Sequence, residues 1–421
     1  MTKKNLWVPI SIIGLMFFVI GFGLGINGYL IPYLKQGLEL SSAESYLVLT
    51  ATFSAFVIFG YPSGLIIKRI GYQRSMVLSF VFFAVGLFLF VPSARYESLG
   101  LFLLGSFLSG MGNTLLQASV NPYITIIGPK ESAAMRMSIM GIINKGAWAI
   151  APLFLSLFMD LQDVRLSDID LPFYLIVGIF ILLAIFMNFA PLPKVKAEGE
   201  DDKEGEGDDD PNAIKVGSEY ARYKTKIIQF PHLILGVVTL FFYVGVETIA
   251  LATIIDYAES LELPNPEVYT SYTVVAMVIG YLIGIFFIPR IMSQDFAFKI
   301  CTWLGLFSSL VIVLTPIHME LFNTPVSIIF VAILGLANSL MWPAIWPLAI
   351  ADLGRFTKVG ASLLVMGIVG GAVLPTVFGA VKDAVGIQSA YWICFPAYLF
   401  ILYYAFAGHK IRVYPEKKQV K

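Results

Sequence analysis

Two sets of polar and aromatic side chains recur at four-residue spacing inside long apolar segments. The sets are Asn113, Gln117 and Asn121, and then Asn338, Trp342 and Trp346. Steps of four residues keep side chains on one face of an α-helix. A stripe of amides within an apolar segment of bilayer length has no reason to face lipid, so we expect each stripe to line an interior cavity.

A cavity lined by amides and indoles is suited to binding a sugar. Each hydroxyl of a pyranose is both a donor and an acceptor, and the amides of Asn and Gln carry both functions on one group. The C–H face of the sugar ring is apolar and packs on aromatic rings. The sequence therefore predicts a sugar site, and its candidate ligands are Gln117, Asn121, Asn144, Lys145, Asn338, Trp342 and Trp346.

The same residues allow structural interpretations. Asn113 and Asn338 could be amides that hydrogen-bond neighbouring helices to one another. The two tryptophans could serve as packing bulk. Each tryptophan is followed by a proline, Pro343 or Pro347, and this pattern favours a bent helix that lines a cavity.

Two ionisable residues lie well inside apolar segments, where an unpartnered charge costs roughly 2.5–3.5 kcal/mol on insertion scales. Lys145 follows Asn144 and is interpreted as a donor to sugar hydroxyls or as half of a structural ion pair. Glu247 is interpreted as the cation-coupling site, with a pair to Lys145 as the alternative. A carboxylate in a desolvated cavity can bind H⁺ reversibly, or it can ligate Na⁺ with neighbouring oxygen atoms; the sequence predicts no other cofactor.

The composition is that of a polytopic membrane protein. Of 421 residues, 58% are hydrophobic and only 13% are charged, whereas about a quarter of a soluble domain is charged. About 20 helical residues span a bilayer core. Twelve apolar stretches of that order predict twelve transmembrane helices in an all-α fold, at residues 8–30, 44–67, 75–93, 98–127, 131–158, 171–190, 230–256, 268–289, 297–316, 323–352, 357–381 and 390–408.

The basic residues predict the orientation of these helices. With the N-terminus inside, 23 of the 28 Lys and Arg residues fall on the inner side and four on the outer side, with Lys145 left within the membrane. This bias predicts that both termini are cytoplasmic. The formal net charge of zero gives no support for nucleic-acid binding. Cys301 and Cys394 fall in apolar runs, and we expect them to be core residues.

A polar linker at residues 194–229 divides the chain into a six-helix bundle at 1–193 and another at 230–421. Residues 198–210 of this linker are acidic and Gly-rich, and we expect them to be disordered. The halves look like copies because Gly110, Asn113, Leu115 and Pro122 recur as Gly335, Asn338, Leu340 and Pro347. Two pseudo-symmetric bundles of this kind are typical of secondary transporters that rock around a central site.

Several segments resemble one transporter family. Residues 115–129, 142–146, 243–248 and 338–347 are similar to the fucose:proton symporter family of the major facilitator superfamily, and most of all to its bacterial glucose/galactose permease branch. The resemblance implies hexose uptake with cation symport across the bacterial inner membrane. The positions that match the fucose permease's functional acids are Gly28 and Gln117, and neither residue can titrate, so that proton relay cannot be transferred.

The sequence therefore predicts a transporter of a hexose such as glucose or galactose, coupled to a cation and working by alternating access in a lipid bilayer, with a monosaccharide as its substrate. An enzyme is not expected, because no nucleophile–base pair or metal cluster is apparent. The alternatives are a drug or metabolite exporter on the same scaffold and a permease for an N-acetylhexosamine or fucose. The identity of the sugar, the choice of H⁺ or Na⁺ and the oligomeric state stay open.

Overall fold

The computed structural model describes residues 6–160, 163–197, 214–266, 268–316, 318–322 and 324–413. The acidic tract at 198–210, for which we expect disorder, lies outside the described residues. Short parallel strands flank it, β1 (Val195–Ala197) and β2 (Ile214–Val216). A second small pair, β3 (Glu320–Leu321) and β4 (Thr324–Pro325), is antiparallel. The rest of the regular structure is helical.

Helices account for the apolar stretches of the sequence. In the first half they are α1 (Trp7–Gly37), α2 (Ser42–Ile58), α3 (Gly60–Phe88), α4 (Phe90–Arg95), α5 (Leu99–Ile126), α6 (Ala133–Leu155) and α7 (Asp170–Phe189). In the second half they are α8 (Glu219–Arg222), α9 (Pro231–Ala252), α10 (Ile254–Ser260), α11 (Val268–Phe287), α12 (Gln294–Leu314), α13 (Val326–Ser339), α14 (Met341–Ile350), α15 (Thr357–Met366), α16 (Gly370–Val385), α17 (Ile387–Ala390) and α18 (Cys394–Phe406).

The helical runs confirm twelve membrane passes. Within the described ranges, eleven runs are long and apolar enough to cross a bilayer, and one of them covers 36 residues, Gly60–Arg95. At 1.5 Å per residue this run would measure about 54 Å, well beyond one bilayer core. Gly71, with φ 81° and ψ 171°, divides it. The part before Gly71 continues the short apolar helix Leu47–Ile58, so the predicted spans 44–67 and 75–93 are separate passes.

Some spans that the sequence predicts as continuous are broken. α13 ends at Ser339 and α14 begins at Met341, with Leu340 between them at φ −96° and ψ 2°. The proline ring of Pro343 clashes with the carbonyl of the residue four positions earlier, which is Ser339, and it has no N–H to donate to that carbonyl. A 3₁₀ turn at Gly367–Val369 similarly separates α15 from α16.

The chain groups into two compact units. Unit 1 comprises Met1–Ile127, Met140–Gly217 and Arg355–Met366, and unit 2 comprises Gly128–Ile139, Ser218–Gly354 and Gly367–Lys421. Each unit thus holds most of one half of the sequence plus a short segment from the other half. The partition at residues 1–193, 194–229 and 230–421 stays a prediction.

Small residues let the segments Arg355–Met366 and Gly128–Ile139 pack closely within unit 1 and unit 2, respectively. In unit 1, a Cβ added to Gly64 would lie 2.3 Å from Ser362 Oγ on α15, and Lys358 Nζ lies 5.7 Å above the Tyr72 ring. In unit 2, a Cβ added to Gly284 would lie 2.7 Å from Ser138 Oγ. Side-chain volume at these glycines would push the segments away from their helices.

The repeated glycines pack in the same way in both units. A Cβ added to Gly110 on α5 would lie 2.6 Å from the carbonyl oxygen of Thr52 on α2. A Cβ added to Gly335 on α13 would lie 2.1 Å from the carbonyl oxygen of Thr273 on α11. Both positions therefore bring two helix backbones into contact, as small residues do in membranes, which agrees with the repeat seen in the sequence.

Candidate substrate-binding site

The predicted amide stripe is present on α5 and forms a hydrogen-bonded series. Gln117 Nε2 donates to Asn113 Oδ1 at 2.8 Å, and Asn121 Nδ2 donates to the carbonyl oxygen of Gln117 at 2.9 Å. All three side chains are buried in unit 1. Asn121 Oδ1 has no hydrogen-bond partner among the described residues. The stripe therefore contains one buried acceptor oxygen that no described residue satisfies.

Helix α1 lies between the amides of α5 and those of α6. A Cβ added to Gly23 of α1 would lie 3.8 Å from Asn113 Nδ2. On the other side, Asn144 Nδ2 donates to the carbonyl oxygen of Phe17 at 3.1 Å. Asn27, one turn beyond Gly23, is also buried on α1. It is a candidate that sequence reasoning missed, because a single amide in a Gly-rich run has no periodic signal.

Asn144 and Lys145 lie side by side on α6, and both are half-buried. The bond to Phe17 gives Asn144 a part in holding α6 against α1, in addition to the sugar contact that the sequence predicts. The approach is close, because a Cβ added to Gly21 of α1 would lie 2.1 Å from the Asn144 carbonyl oxygen. The amide oxygen of Asn144 takes no part in the bond to Phe17, so it is the part of this side chain that can bind a solute.

The two tryptophans lie together on α14 in unit 2. Their ring centroids are 5.6 Å apart with an interplanar angle of 51°. Trp346 is fully buried, and its Nε1 has no partner in the described part of the chain. Trp342 is half-buried. Trp342 is therefore the more exposed indole of the pair, and Trp346 is the buried one.

Asn338, at the end of α13, ties two helices of unit 2 together. Its Oδ1 accepts a hydrogen bond from the Tyr398 hydroxyl of α18 at 2.9 Å, which is the interhelical role that the sequence left open. Its Nδ2 is buried and has no partner among the described residues. A buried donor without a partner costs about 1–3 kcal/mol, so this amide gains from an acceptor such as a sugar oxygen or water.

Glu247 on α9 is linked to the tryptophans through one tyrosine. The Tyr243 hydroxyl donates to Glu247 Oε1 at 2.9 Å, and both side chains are buried, at 1% and 8% exposed. The Tyr243 ring lies 6.3 Å from that of Trp342, at an interplanar angle of 53°. Sequence reasoning did not assign Tyr243 a role, although its position four residues before Glu247 places both on one helix face.

These contacts define what each unit can do chemically. Unit 1 has amides with one acceptor oxygen that no described residue satisfies, and unit 2 has two such donors, Asn338 Nδ2 and Trp346 Nε1, and a half-buried indole, Trp342. Unit 2 also holds a buried carboxylate, Glu247, which accepts a hydrogen bond from the Tyr243 hydroxyl. The prediction that the amides and the indoles share one cavity stays a prediction.

Comparisons with known proteins agree with this picture of the chain. The sequence model of the Major Facilitator Superfamily matches residues 13–368. A glucose/galactose transporter of Brucella abortus is 30% identical over 421 residues, covering 97% of this chain and 96% of the relative. A putative glucose/galactose transporter of Helicobacter pylori is 28% identical and covers 97% and 99% of the two chains.

Relatives named for fucose are also similar. The L-fucose-proton symporter of Escherichia coli is 26% identical, covering 96% of this chain and 93% of the relative. A crystal structure of a variant of the E. coli fucose:proton symporter, FucP, superposes with a TM-score of 0.78 at 23% identity. It covers 96% of this chain and 98% of its own, so the likeness of fold extends over nearly the whole of both molecules.

Proposed function

Because this chain belongs to the Major Facilitator Superfamily, we propose that it is a secondary active transporter that carries a hexose such as glucose or galactose together with a cation. The superfamily consists of transporters with the twelve-helix fold described above, and the chain is not an enzyme. Relatives named as glucose/galactose transporters match almost its whole length, which supports a hexose as the substrate.

The observation that carries the proposal is the buried amide series on α5. The Gln117 amide donates to the Asn113 amide, and the Asn121 amide donates to the backbone carbonyl of Gln117, with Asn121 Oδ1 left over as an acceptor. Such a concentration of hydrogen-bonding groups suits a solute with many hydroxyls. A cavity for lipophilic drugs would need few such groups, because a buried polar group left without a partner opposes the binding of an apolar ligand. The amides therefore favour sugar transport over drug export.

The candidate residues divide into three roles in this proposal. Amides and a lysine hydrogen-bond the sugar hydroxyls, the indole of Trp342 packs on the apolar face of the ring, and Glu247 binds the coupled cation, H⁺ or Na⁺. The hydrogen-bonding residues are Gln117, Asn121, Asn144, Lys145 and Asn338. Coupling requires that the cation and the sugar each raise the affinity for the other.

The chain is a multi-pass membrane protein, and we place it in the bacterial plasma membrane with both termini in the cytoplasm. The excess of basic residues on one side of the predicted spans supports this orientation. With the termini inside, the linker at 194–229 is cytoplasmic. The transported partner is a monosaccharide that crosses from the outside to the inside.

Reconstitution into proteoliposomes tests the proposal. Radiolabelled glucose, galactose, mannose, N-acetylglucosamine and fucose are offered in turn, with an imposed proton gradient, with a sodium gradient or with neither. We expect concentrative uptake of glucose or galactose driven by one of the two gradients. Absence of counterflow with every sugar would overturn sugar transport.

A fucose permease is the second candidate, because the relative from E. coli that matches 96% of this chain is named L-fucose-proton symporter. The same panel separates the two. Uptake of fucose in preference to glucose and galactose would replace the glucose/galactose assignment while leaving the sugar-symporter class in place.

A further inference from the structure

The amide of Asn121 on α5 has a fixed orientation. Its Nδ2 donates to the backbone carbonyl oxygen of Gln117 at 2.9 Å. A backbone carbonyl can only accept a hydrogen bond, so the branch of the amide that faces Gln117 must be the nitrogen. The other branch of the Asn121 amide is therefore the oxygen, Oδ1, which is an acceptor.

This oxygen is buried and unsatisfied. Asn121 is 0% exposed, and its Oδ1 makes no hydrogen bond with any described residue. A buried acceptor without a donor opposes folding, because it has lost its hydrogen bonds to water. Such groups are few in native proteins, and each of them requires an explanation.

Helix packing does not supply that explanation. In an α-helix, the carbonyl of Gln117 already accepts the backbone N–H of the residue four positions later, which is Asn121 itself. The bond from Asn121 Nδ2 thus adds a second donor to a carbonyl that has one. It stays within α5, whereas the bond from Asn144 to Phe17 joins two helices. The fold therefore does not need an amide at this position.

The unsatisfied oxygen belongs to the same face of α5 as the other amides. Asn121 lies four residues, about 6 Å along the helix axis, from Gln117, and Gln117 donates to Asn113 four residues further away. Side chains at this spacing share one helix face. The acceptor therefore extends the stripe that we propose as the sugar site.

We propose that Asn121 is a specificity-determining residue: its Oδ1 accepts a hydrogen bond from one hydroxyl of the sugar, so that the protein selects sugars in which this hydroxyl is free. This inference rests on the proposed function, in which the amides of α5 bind the sugar. A site whose buried polar group is satisfied by the substrate rejects an analogue that lacks the matching group, because the polar group is then left unpaired. The rejected sugars are those that are deoxygenated, fluorinated or O-methylated at that hydroxyl.

Deoxy and deoxyfluoro analogues of the transported sugar test the direction of this hydrogen bond. Fluorine is close in size to a hydroxyl oxygen but has no hydrogen to donate. In the unchanged protein, we expect one hydroxyl at which hydrogen and fluorine raise the inhibition constant in counterflow equally, by roughly tenfold. If fluorine restores binding at every hydroxyl whose removal weakens it, the protein donates at those positions and the inference is wrong.

The substitution Asn121→Leu assigns the sensitive hydroxyl to Asn121, because leucine has a similar branched shape and no acceptor. We expect the parent sugar to bind this variant roughly tenfold more weakly. Its two analogues at the sensitive position should bind as the parent does, while the losses at the other hydroxyls remain. Such non-additivity identifies a direct contact. Unchanged selectivity, the result expected if a bound water satisfies Oδ1, would overturn the inference.

Thr114→Val is the matched control on the same helix. The Thr114 hydroxyl is fully buried and donates to the carbonyl oxygen of Gly110, four residues earlier, at 2.8 Å. Thr114→Val therefore loses the same kind of bond as Asn121→Leu but no amide, and its selectivity should equal that of the unchanged protein. An equal loss of selectivity in both variants would mean that the effect comes from α5 as a whole, which contradicts the inference.

Asn121→Ser keeps the inference testable if Asn121→Leu does not fold. A serine hydroxyl can donate to the carbonyl four residues earlier, as the amide does, but it does not extend to the position of Oδ1. We expect the same loss of selectivity at the same hydroxyl. A protein that carries no sugar in counterflow would refute the proposed function. Normal transport with unchanged selectivity in the Asn121 variants would refute only the role of Asn121.

Discussion

The side-chain amides of this protein use part of their hydrogen-bonding capacity on their own surroundings. Asn144 donates to α1 through Phe17, and Gln117 donates along its own helix to Asn113. The two residues therefore differ in what their removal would disturb. Loss of the Asn144 side chain would loosen the contact between α6 and α1 as well as any sugar contact. The bond from Gln117 to Asn113 stays within α5, so its loss would not separate two helices.

Gln117→Ala is accordingly the cleaner test of sugar binding. We expect a rise in sugar KM of roughly five- to tenfold, which corresponds to the loss of about 1 kcal/mol of hydrogen bonding, with normal insertion into the membrane. Counterflow in proteoliposomes measures the KM.

Ser119→Ala on the same helix is the control for this substitution. The Ser119 hydroxyl is buried and donates to the carbonyl oxygen of Leu115 at 2.8 Å, so its loss removes one hydrogen bond within α5 and no amide of the stripe. We expect its sugar KM to stay unchanged. A KM for Gln117→Ala equal to that of Ser119→Ala would remove Gln117 from the site.

The sequence predicted the helix face that the amides share but not the hydrogen-bond partners of the candidate residues. The spacing of Gln117 and Asn121 placed them on one helix face because periodicity is a local property. The pair of Tyr243 and Glu247 was equally local and could have been found. The bond from Tyr398 to Asn338 joins residues 60 positions apart, and no single-sequence pattern contains that information.

Among the elements, the broken helices are the feature with the clearest sequence cause. Pro343 accounts for the end of α13 at Ser339. The sequence predicted a bent helix in this region but not the residue at which it breaks. The 3₁₀ turn at Gly367–Val369 was not predicted. It lies where α9 comes very close, since a Cβ added to Gly370 would lie 1.9 Å from the Phe241 carbonyl oxygen, and this close packing is a tertiary property.

The glycine contacts between helices give a prediction about packing. In Gly335→Ala, the new methyl group would lie 2.1 Å from the Thr273 carbonyl oxygen, so α13 and α11 must move apart. Overpacking of this kind costs roughly 1–3 kcal/mol. We expect a lower melting temperature in detergent, measured by the loss of the monodisperse peak on size exclusion after heating.

Gly379→Ala on α16 is the matched control for this substitution. Apart from the chain neighbours and the backbone of its own helix, no atom of the described residues lies within 4 Å of a Cβ added to Gly379, and Ala is the better helix former. The melting temperature should stay the same or rise slightly. Equal destabilisation by both substitutions would contradict close packing at Gly335.

At the scale of the whole molecule, the fold class could be predicted from the number and length of the apolar segments, which are read directly from the sequence. Bilayer length and apolar composition are sufficient to predict twelve passes, and the repeat of Gly110 and Gly335 predicted two similar halves. Composition could not show that residues 355–366 pack within unit 1 or that residues 128–139 pack within unit 2. Those groupings depend on contacts such as Gly64 with Ser362.

The orientation in the membrane gives a further prediction. Tyr96 and Tyr223 are both well exposed, at 76% and 65%, and the charge bias places the first outside and the second inside. We expect Tyr96→Cys to react with a membrane-impermeant maleimide in intact cells and Tyr223→Cys to react only after permeabilisation.

The two native cysteines should not interfere with this labelling. Cys301 and Cys394 are buried, as expected of core residues, so the unchanged protein serves as the unlabelled control. Labelling of Tyr223→Cys in intact cells, without labelling of Tyr96→Cys, would reverse the orientation.

The arrangement of the indoles also allows sugar binding to be followed by intrinsic tryptophan fluorescence. Trp7, Trp148, Trp303 and Trp392 are exposed, and Trp346 is fully buried. In the proposed site, Trp342 is the tryptophan that a bound sugar would shield. Because shielding an indole from water moves its fluorescence to shorter wavelength, occupancy can be followed in the unlabelled protein, and Trp342→Phe should remove the signal.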